Sequence, residues 1–197
     1  ARGLPLRAMT ANALPWRWIP TLYFAQALPN VAVATLSVVM YKNLGLSNTD
    51  IALYTSWLYL PWVIKPLWSP LVDLIGRKRG WVVALQFVVG VAFALVALAL
   101  PAPHFFQLTL AMFWLLAFAS ATHDIAADGL YMLALSEKRQ AAFVGVRSTF
   151  FRLAMIAGQG VLVVLAGWLY ESNGDYVRAW QVVFALLAAL FAAAALW

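Results

Sequence analysis

The stretch SPLVDLIGRKRG, residues 69–80, lies between two long apolar segments and differs from both in its charge. Asp73 is followed three residues later by Gly76 and then by the basic residues Arg77, Lys78 and Arg79. Glycine permits a tight turn, and basic residues next to apolar spans concentrate on the cytoplasmic side of a membrane. The stretch therefore predicts a short cytoplasmic loop between two membrane helices, in which Asp73 can pair with a cation. A plain turn whose charges only set the topology is the alternative interpretation.

The composition indicates a protein with several membrane spans. The 197 residues are 65% hydrophobic and only 10% charged, whereas about a quarter of the residues of a soluble domain are charged. The sequence contains no cysteine, which excludes a disulfide framework and a thiolate metal site within it. The net charge of +6 lies mostly in the links between apolar segments, so we expect it to set the topology and we expect no nucleic-acid partner.

Six apolar stretches are long enough to cross a bilayer, which takes about 20 residues. They are residues 18–40, 50–71, 81–100, 104–135, 142–168 and 179–197. Eight Lys and Arg residues lie in the N-terminal segment 1–17 and in the second and fourth links, against two in the other links. This bias predicts that segment 1–17 is cytoplasmic. The last stretch is still apolar at Trp197, so we expect the natural chain to continue beyond it.

The two halves of the chain resemble each other weakly. Aligning AQALPNVA (25–32) with ASATHDIA (119–126) places Asn30 over Asp124 and Lys65 over Gln159. The same alignment carries the first three spans onto the last three. We therefore expect an all-α bundle of six helices in a three-plus-three repeat, an organisation typical of secondary transporters.

Polar side chains are confined to four of the six spans. Such groups are costly inside a membrane, so they face a cavity or a partner, and we expect spans one, two, four and five to surround a cavity while three and six face lipid. The candidates are Gln26, Asn30, Lys65, His123, Asp124, Asp128, Arg147, Arg152 and Gln159. Of these, Gln26, Asn30 and Gln159 are candidate solute contacts, and the other six form a candidate charge network for proton coupling.

The acids and the cations of this network lie at matching depths. Asp124 and Asp128 share one helix face, because their spacing is i, i+4. At about 1.5 Å per residue, Asp124 and Arg152 lie roughly 18 and 15 Å from the cytoplasmic ends of their spans, and Asp128 and Arg147 about 12 and 8 Å. A structural salt bridge is one interpretation, above all for Asp128 with Arg147. A carboxylate that exchanges partners can also take up and release a proton, which we favour for Asp124.

Two further residues have alternative interpretations. His123 is either a hydrogen-bonding partner of the acid beside it or a proton relay, since histidine titrates near neutral pH. In span five, the small residues Ala154 and Gly158 are four apart, a spacing that allows close helix contact, and we expect them to serve packing.

The loop at 69–80 resembles the signature loop between helices two and three of the major facilitator superfamily, G-x-L-a-D-r-x-G-r-[RK]. Leu71, Asp73, Gly76, Arg77 and Lys78 match, while Ser69 replaces the first glycine and Leu74 the usual arginine. A narrower resemblance, to the AmpG muropeptide permease branch, rests on a K-x-x-W-x-P-L-x-D run and a D-I-x-x-D run. Its matching residues are Lys65, Trp68, Pro70, Leu71, Asp73, Asp124, Ile125 and Asp128.

The resemblance implies that residues 18–197 are the N-terminal half of a twelve-helix transporter whose C-terminal half would be the partner of this one. It implies a multi-pass protein of the bacterial inner membrane that imports muropeptides or similar bulky anionic solutes by alternating access, with the proton gradient as energy source and no cofactor. In the family, the signature loop (Asp73, Gly76, Arg77 and Lys78 here) holds the cytoplasmic side closed. Relatives with siderophore or acyl-coenzyme A cargo leave those solutes as alternatives.

A different class of function is a non-transporting six-helix sensor or assembly subunit of the membrane. An intramembrane enzyme has no support in the sequence, which contains no zinc-ligand cluster, no Gly-x-Ser-x-Gly motif and no ATP-binding loop.

Overall fold

The computed structural model describes residues 15–196, and the part of the chain it describes is helical with short turns. Five of its helices are long and apolar enough to cross a membrane. We name the elements α1 (Pro15–Asn43), α2 (residues 48–74, in several pieces), α3 (Lys78–Ala99), α4 (Phe105–Ala134), α5 (Glu137–Asn173) and α6 (Tyr176–Leu196). The predicted segment 1–17 lies largely outside the described residues, including Arg2 and Arg7.

Segment α2, where the sequence predicts a membrane span over residues 50–71, is not one continuous helix. It consists of short α-helical pieces joined by tight helical turns at Trp57–Tyr59 and Lys65–Leu67. Pro61, Pro66 and Pro70 lie within it, and proline lacks the backbone N–H that a helix interior requires. The six-span count and the three-plus-three repeat therefore stay predictions.

Helix α5 extends well beyond the predicted span 142–168. It begins at Glu137, directly after Ser136 in extended conformation, and ends at Asn173 before Gly174, whose φ is 70°. A left-handed glycine is a common helix stop. The span predicted from the apolar residues is too short because backbone hydrogen bonding continues through polar residues at the membrane surface.

The helices pack so that α3 lies against both α4 and α6, while α1 lies against α5 and α4. Helices α3 and α6 approach closely: a methyl group added at Gly90 would come 3.2 Å from the Cβ of Phe191. The opposite side of α3 has an exposed apolar stripe made up of Val83, Phe87, Val91, Leu95 and Leu98. Among residues 15–195, neither α3 nor α6 contributes a side chain to the ion pairs of Asp124 and Asp128.

A close contact joins α1 and α5 where each contains a widened, π-type turn, at Ala32–Leu36 and Ala157–Leu162. A methyl group added at Gly158 would lie only 2.6 Å from Cγ1 of Val31. Ala154 is also fully buried. The predicted packing role of the small residues in this span is confirmed.

Candidate solute and proton site

Asp124 in α4 binds two other elements at once. Its Oδ2 accepts a hydrogen bond from Nζ of Lys65 in α2 at 2.5 Å, and its Oδ1 accepts one from Nε2 of Gln26 in α1. Depth along ideal helices places Asp124 and Arg152 in one layer, but the ion pairs of residues 15–195 do not join them. The tight turn at Lys65–Leu67 makes the rise along α2 uneven, so an even rise does not place Lys65 beside Asp124.

Asp128, one turn further along α4, forms a separate cluster. Its Oδ1 lies 3.0 Å from Nη2 of Arg147 and accepts a hydrogen bond from the Tyr23 hydroxyl at 2.9 Å. The Arg147 guanidinium carbon lies 4.6 Å from the ring centre of Tyr23 and 5.0 Å from that of Tyr131, within the range of cation–π attraction. The salt bridge between Asp128 and Arg147, one of the two interpretations of these residues, is present.

Neither tyrosine of this cluster is among the residues predicted from the sequence. Within an apolar span, tyrosine resembles ordinary core, and both residues are nearly fully buried. The available signal was position: Tyr23 precedes Gln26 by three residues, so both lie on the same face of α1. The Tyr131 hydroxyl also donates to the backbone carbonyl of Gln140, at 2.5 Å, and thereby joins α4 to the start of α5.

Two cavities adjoin the Lys65–Asp124 pair. The smaller, of about 280 Å³, is lined by Tyr23, Gln26, Asp124, Arg147, Ser148, Phe151 and Arg152. The larger, of about 460 Å³, is lined by Lys65, Pro66, Ser69, Pro70, Asp73, Leu74 and Ile125. Because Asp124 lines the first cavity and Lys65 the second, the ion pair lies between them.

The remaining candidates occupy different positions. Arg152 lines the smaller cavity, and no carboxylate of residues 15–195 lies within 4.0 Å of it. His123 is 3% exposed, and its Nε2 has no hydrogen-bond partner among the described residues, so the structure does not join it to the acid beside it. Asn30 is half-buried and Gln159 is exposed; of the three candidate solute contacts, Gln26 alone lines the smaller cavity.

Contacts among its own residues hold the loop at 69–80 in a tight turn. Gly76 has a φ of 74°, as its tight turn requires. The Lys78 ammonium donates to the Asp73 carboxylate and, at 2.9 Å, to the backbone carbonyl of Val72. The stem of Lys78 also lies over Gly129 of α4, where an added methyl group would come 3.0 Å from its Cε. Arg77 is exposed and precedes the first turn of α3.

Comparison with known proteins gives the family. The sequence model described as Major Facilitator Superfamily matches residues 21–197. The chain belongs to the major facilitator superfamily. Membership of this superfamily indicates a transporter rather than an enzyme.

Individual relatives narrow the similarity within this superfamily. The anhydromuropeptide permease of Escherichia coli (strain K12) is 31% identical over 176 residues, which are 86% of this chain and 33% of that protein. The putative transporter AmpG 4 of Rickettsia conorii is 28% identical over 189 residues, or 88% of this chain and 42% of the relative. An uncharacterized protein of Schizosaccharomyces pombe is 32% identical over 146 residues, 66% of this chain and 28% of its own length. The chain thus spans a third to two fifths of the two bacterial relatives.

Proposed function

We propose that this chain is the N-terminal half of a proton-coupled secondary transporter that imports anhydromuropeptides or similar bulky anionic solutes by alternating access. The similarity to an anhydromuropeptide permease supports the cargo. The bias of Lys and Arg toward segment 1–17 and two of the links supports a cytoplasmic N-terminus. The bacterial relatives with permease and transporter names support an inner-membrane location.

The observation on which the proposal rests is the position of Asp124 between Lys65 and Gln26. An ionised carboxylate holds both donors, and these tie α4 to α2 and α1. Protonation removes the negative charge and with it the attraction to the Lys65 ammonium. Asp124 therefore cannot bind a proton and keep its ion pair with Lys65 at the same time. A proton at Asp124 favours the arrangement in which α2 separates from α4.

Asp128 has a different role in this proposal. Arg147 and the Tyr23 hydroxyl hold its carboxylate, and two aromatic rings hold Arg147 in turn. A charge with this many partners is expensive to rearrange, because each partner would lose its own contact. We therefore assign Asp128 to a permanent structural contact between α1, α4 and α5, and the exchangeable proton to Asp124.

The loop at 69–80 stabilises the conformation that is closed on the cytoplasmic side. The Lys78 stem against Gly129 holds this loop on α4, the same helix that carries Asp124. Movement of α2 away from α4 after protonation strains the bonds from Lys78, at the start of α3, to the Asp73 carboxylate and the Val72 carbonyl at the end of α2. The loop and the acid therefore act on one conformational equilibrium.

The test is uptake of a labelled anhydromuropeptide by cells that express the full-length gene, with and without a protonophore. We expect uptake that the protonophore abolishes. Asp124→Asn should lose accumulation against a gradient yet keep exchange of labelled for unlabelled solute, because exchange needs no net proton movement. Asp128→Asn is the matched control. Any decrease in its uptake should be proportional to the decrease in the amount of folded protein.

Two outcomes would contradict the proposal. Uptake by well-expressed protein that the protonophore leaves unchanged would refute proton coupling. No uptake of anhydromuropeptide, together with uptake of a siderophore or an acyl-coenzyme A, would refute the cargo. If none of these solutes is taken up, a sensor or assembly subunit becomes the better explanation.

A further inference from the structure

Two arginines of α5 line the same 280 Å³ cavity but differ in their partners. Arg147 is held by the Asp128 carboxylate and by the rings of Tyr23 and Tyr131. Arg152 is exposed, and the ion pairs of the described residues do not include it. The guanidinium of Arg152 is therefore available to a ligand, whereas that of Arg147 is not.

Within residues 15–195, the balance of charges around Asp124 and Asp128 also leaves Arg152 without a partner. Three cations, Lys65, Arg147 and Arg152, accompany two carboxylates, Asp124 and Asp128, among the described residues of this region. Lys65 pairs with Asp124 and Arg147 with Asp128. The remaining positive charge lies on Arg152, which lines the same cavity as Asp124. Both oxygens of that carboxylate already accept hydrogen bonds, from Lys65 and Gln26.

Gln26 also lines this cavity, but its unsatisfied oxygen is not exposed to it. The residue is 6% exposed, and its Oε1 is fully buried without a hydrogen-bond partner among the described residues. The guanidinium of Arg152 is therefore the group through which this cavity can bind an anion.

We propose that Arg152 binds a carboxylate of the transported solute. The C-terminal end of a short peptide carries such a group. A guanidinium binds a carboxylate through two parallel N–H donors, a geometry that lysine does not reproduce. At 280 Å³ the cavity lies at the lower limit of small-molecule sites, so it holds the anionic end of a bulky solute. This inference rests on the proposed transport function and names the part of the solute that this half recognises.

The first test compares binding of an anhydromuropeptide that has free peptide carboxylates with binding of its amidated form, using purified full-length protein. We expect the wild type to prefer the free form by roughly 10- to 100-fold, since charge-assisted hydrogen bonds contribute about 1.5–3 kcal/mol. Arg152→Gln should remove this preference, and Arg152→Lys should keep part of it. Arg147→Gln, the matched control, should lower thermal stability but keep the preference. An unchanged preference in folded Arg152→Gln would overturn the assignment.

The second test does not depend on the cargo. Ser148 is exposed and lines the same cavity, so Ser148→Cys in a cysteine-free background reports the local potential through its reaction with thiol reagents of opposite charge. We expect the anionic reagent to react faster than the cationic one, and Arg152→Gln to abolish the difference. If the wild type binds neither form of the muropeptide, the proposed cargo is wrong. The thiol reaction then still tests whether the cavity is an anion site. Equal rates with both reagents would overturn it.

Discussion

The contact between Gly158 and Val31 leads to a sharp prediction about the packing of α1 on α5. Alanine at position 158 would place its Cβ 2.6 Å from Cγ1 of Val31 and 3.1 Å from Cβ of the same residue. Ordinary contacts between such carbon atoms are about 3.5–4.0 Å. The two helices would therefore have to separate by roughly 1 Å, or Val31 would have to leave its rotamer.

The matched control is Gly160, two residues away in the same widened turn, where an added methyl group meets nothing within 4 Å. Glycine in a helix costs about 1 kcal/mol relative to alanine, so Gly160→Ala should be neutral or stabilising by up to about that amount. Gly158→Ala gains the same helix propensity but adds overpacking, which typically costs about 1–3 kcal/mol. The two variants should therefore differ by about 1–3 kcal/mol in the free energy of unfolding.

The assay is reversible unfolding of the full-length protein in detergent, followed by helical circular dichroism. Val31→Ala removes the atoms that clash, so Gly158→Ala combined with Val31→Ala should be more stable than the sum of the single effects predicts. Equal stability of Gly158→Ala and Gly160→Ala would refute the reasoning. So would a double variant whose destabilisation is simply additive.

Three other changes follow from contacts described above. Tyr23→Phe removes the hydroxyl bonded to Asp128 and should lower the free energy of unfolding in detergent by about 0.6 kcal/mol, the average for hydrogen bonds between membrane helices, and by no more than about 1.7 kcal/mol; no loss would contradict that bond. Lys65→Met leaves Asp124 without its cation, so thermal stability and transport should fall, and adding Asp124→Asn should restore stability but not accumulation. A double variant no more stable than Lys65→Met would exclude the ion pair. Gly76→Ala should destabilise by about 1–2 kcal/mol because its φ of 74° is left-handed, while Gly76→Asn should cost less in the same unfolding assay; equal costs would point to a different origin.

The parts of the fold and of the site that lie on regular helices could be predicted from the sequence. Apolar length predicted the five continuous helices. Helical spacing placed Asp124 and Asp128 on one face, and depth paired Asp128 with Arg147. These inferences worked because α4 and the first half of α5 are regular helices, in which rise per residue converts position into depth.

The predictions that failed concern irregular backbone or contacts between segments distant in the sequence. Prolines and tight turns break α2, so the position of Lys65 relative to Asp124 could not be calculated from an even rise. The role of Tyr23 depends on which face of α1 meets α4, and composition does not contain that information. Asn30 and Gln159 were selected for their polarity within a span and for their places in the weak repeat, and neither specifies which side of a helix borders the cavity.

The ion pair between Lys65 and Asp124 also has a consequence for biosynthesis. Its two residues are 59 positions apart, so a ribosome that adds about 5–20 residues per second needs roughly 3 to 12 s to reach the acid after making the lysine. During that interval the proline-interrupted segment around Lys65 reaches the membrane insertion machinery with an uncompensated charge. Its stable insertion therefore awaits the arrival of α4, and a chain interrupted before residue 124 should be a preferred substrate for the proteases that remove incompletely assembled membrane proteins.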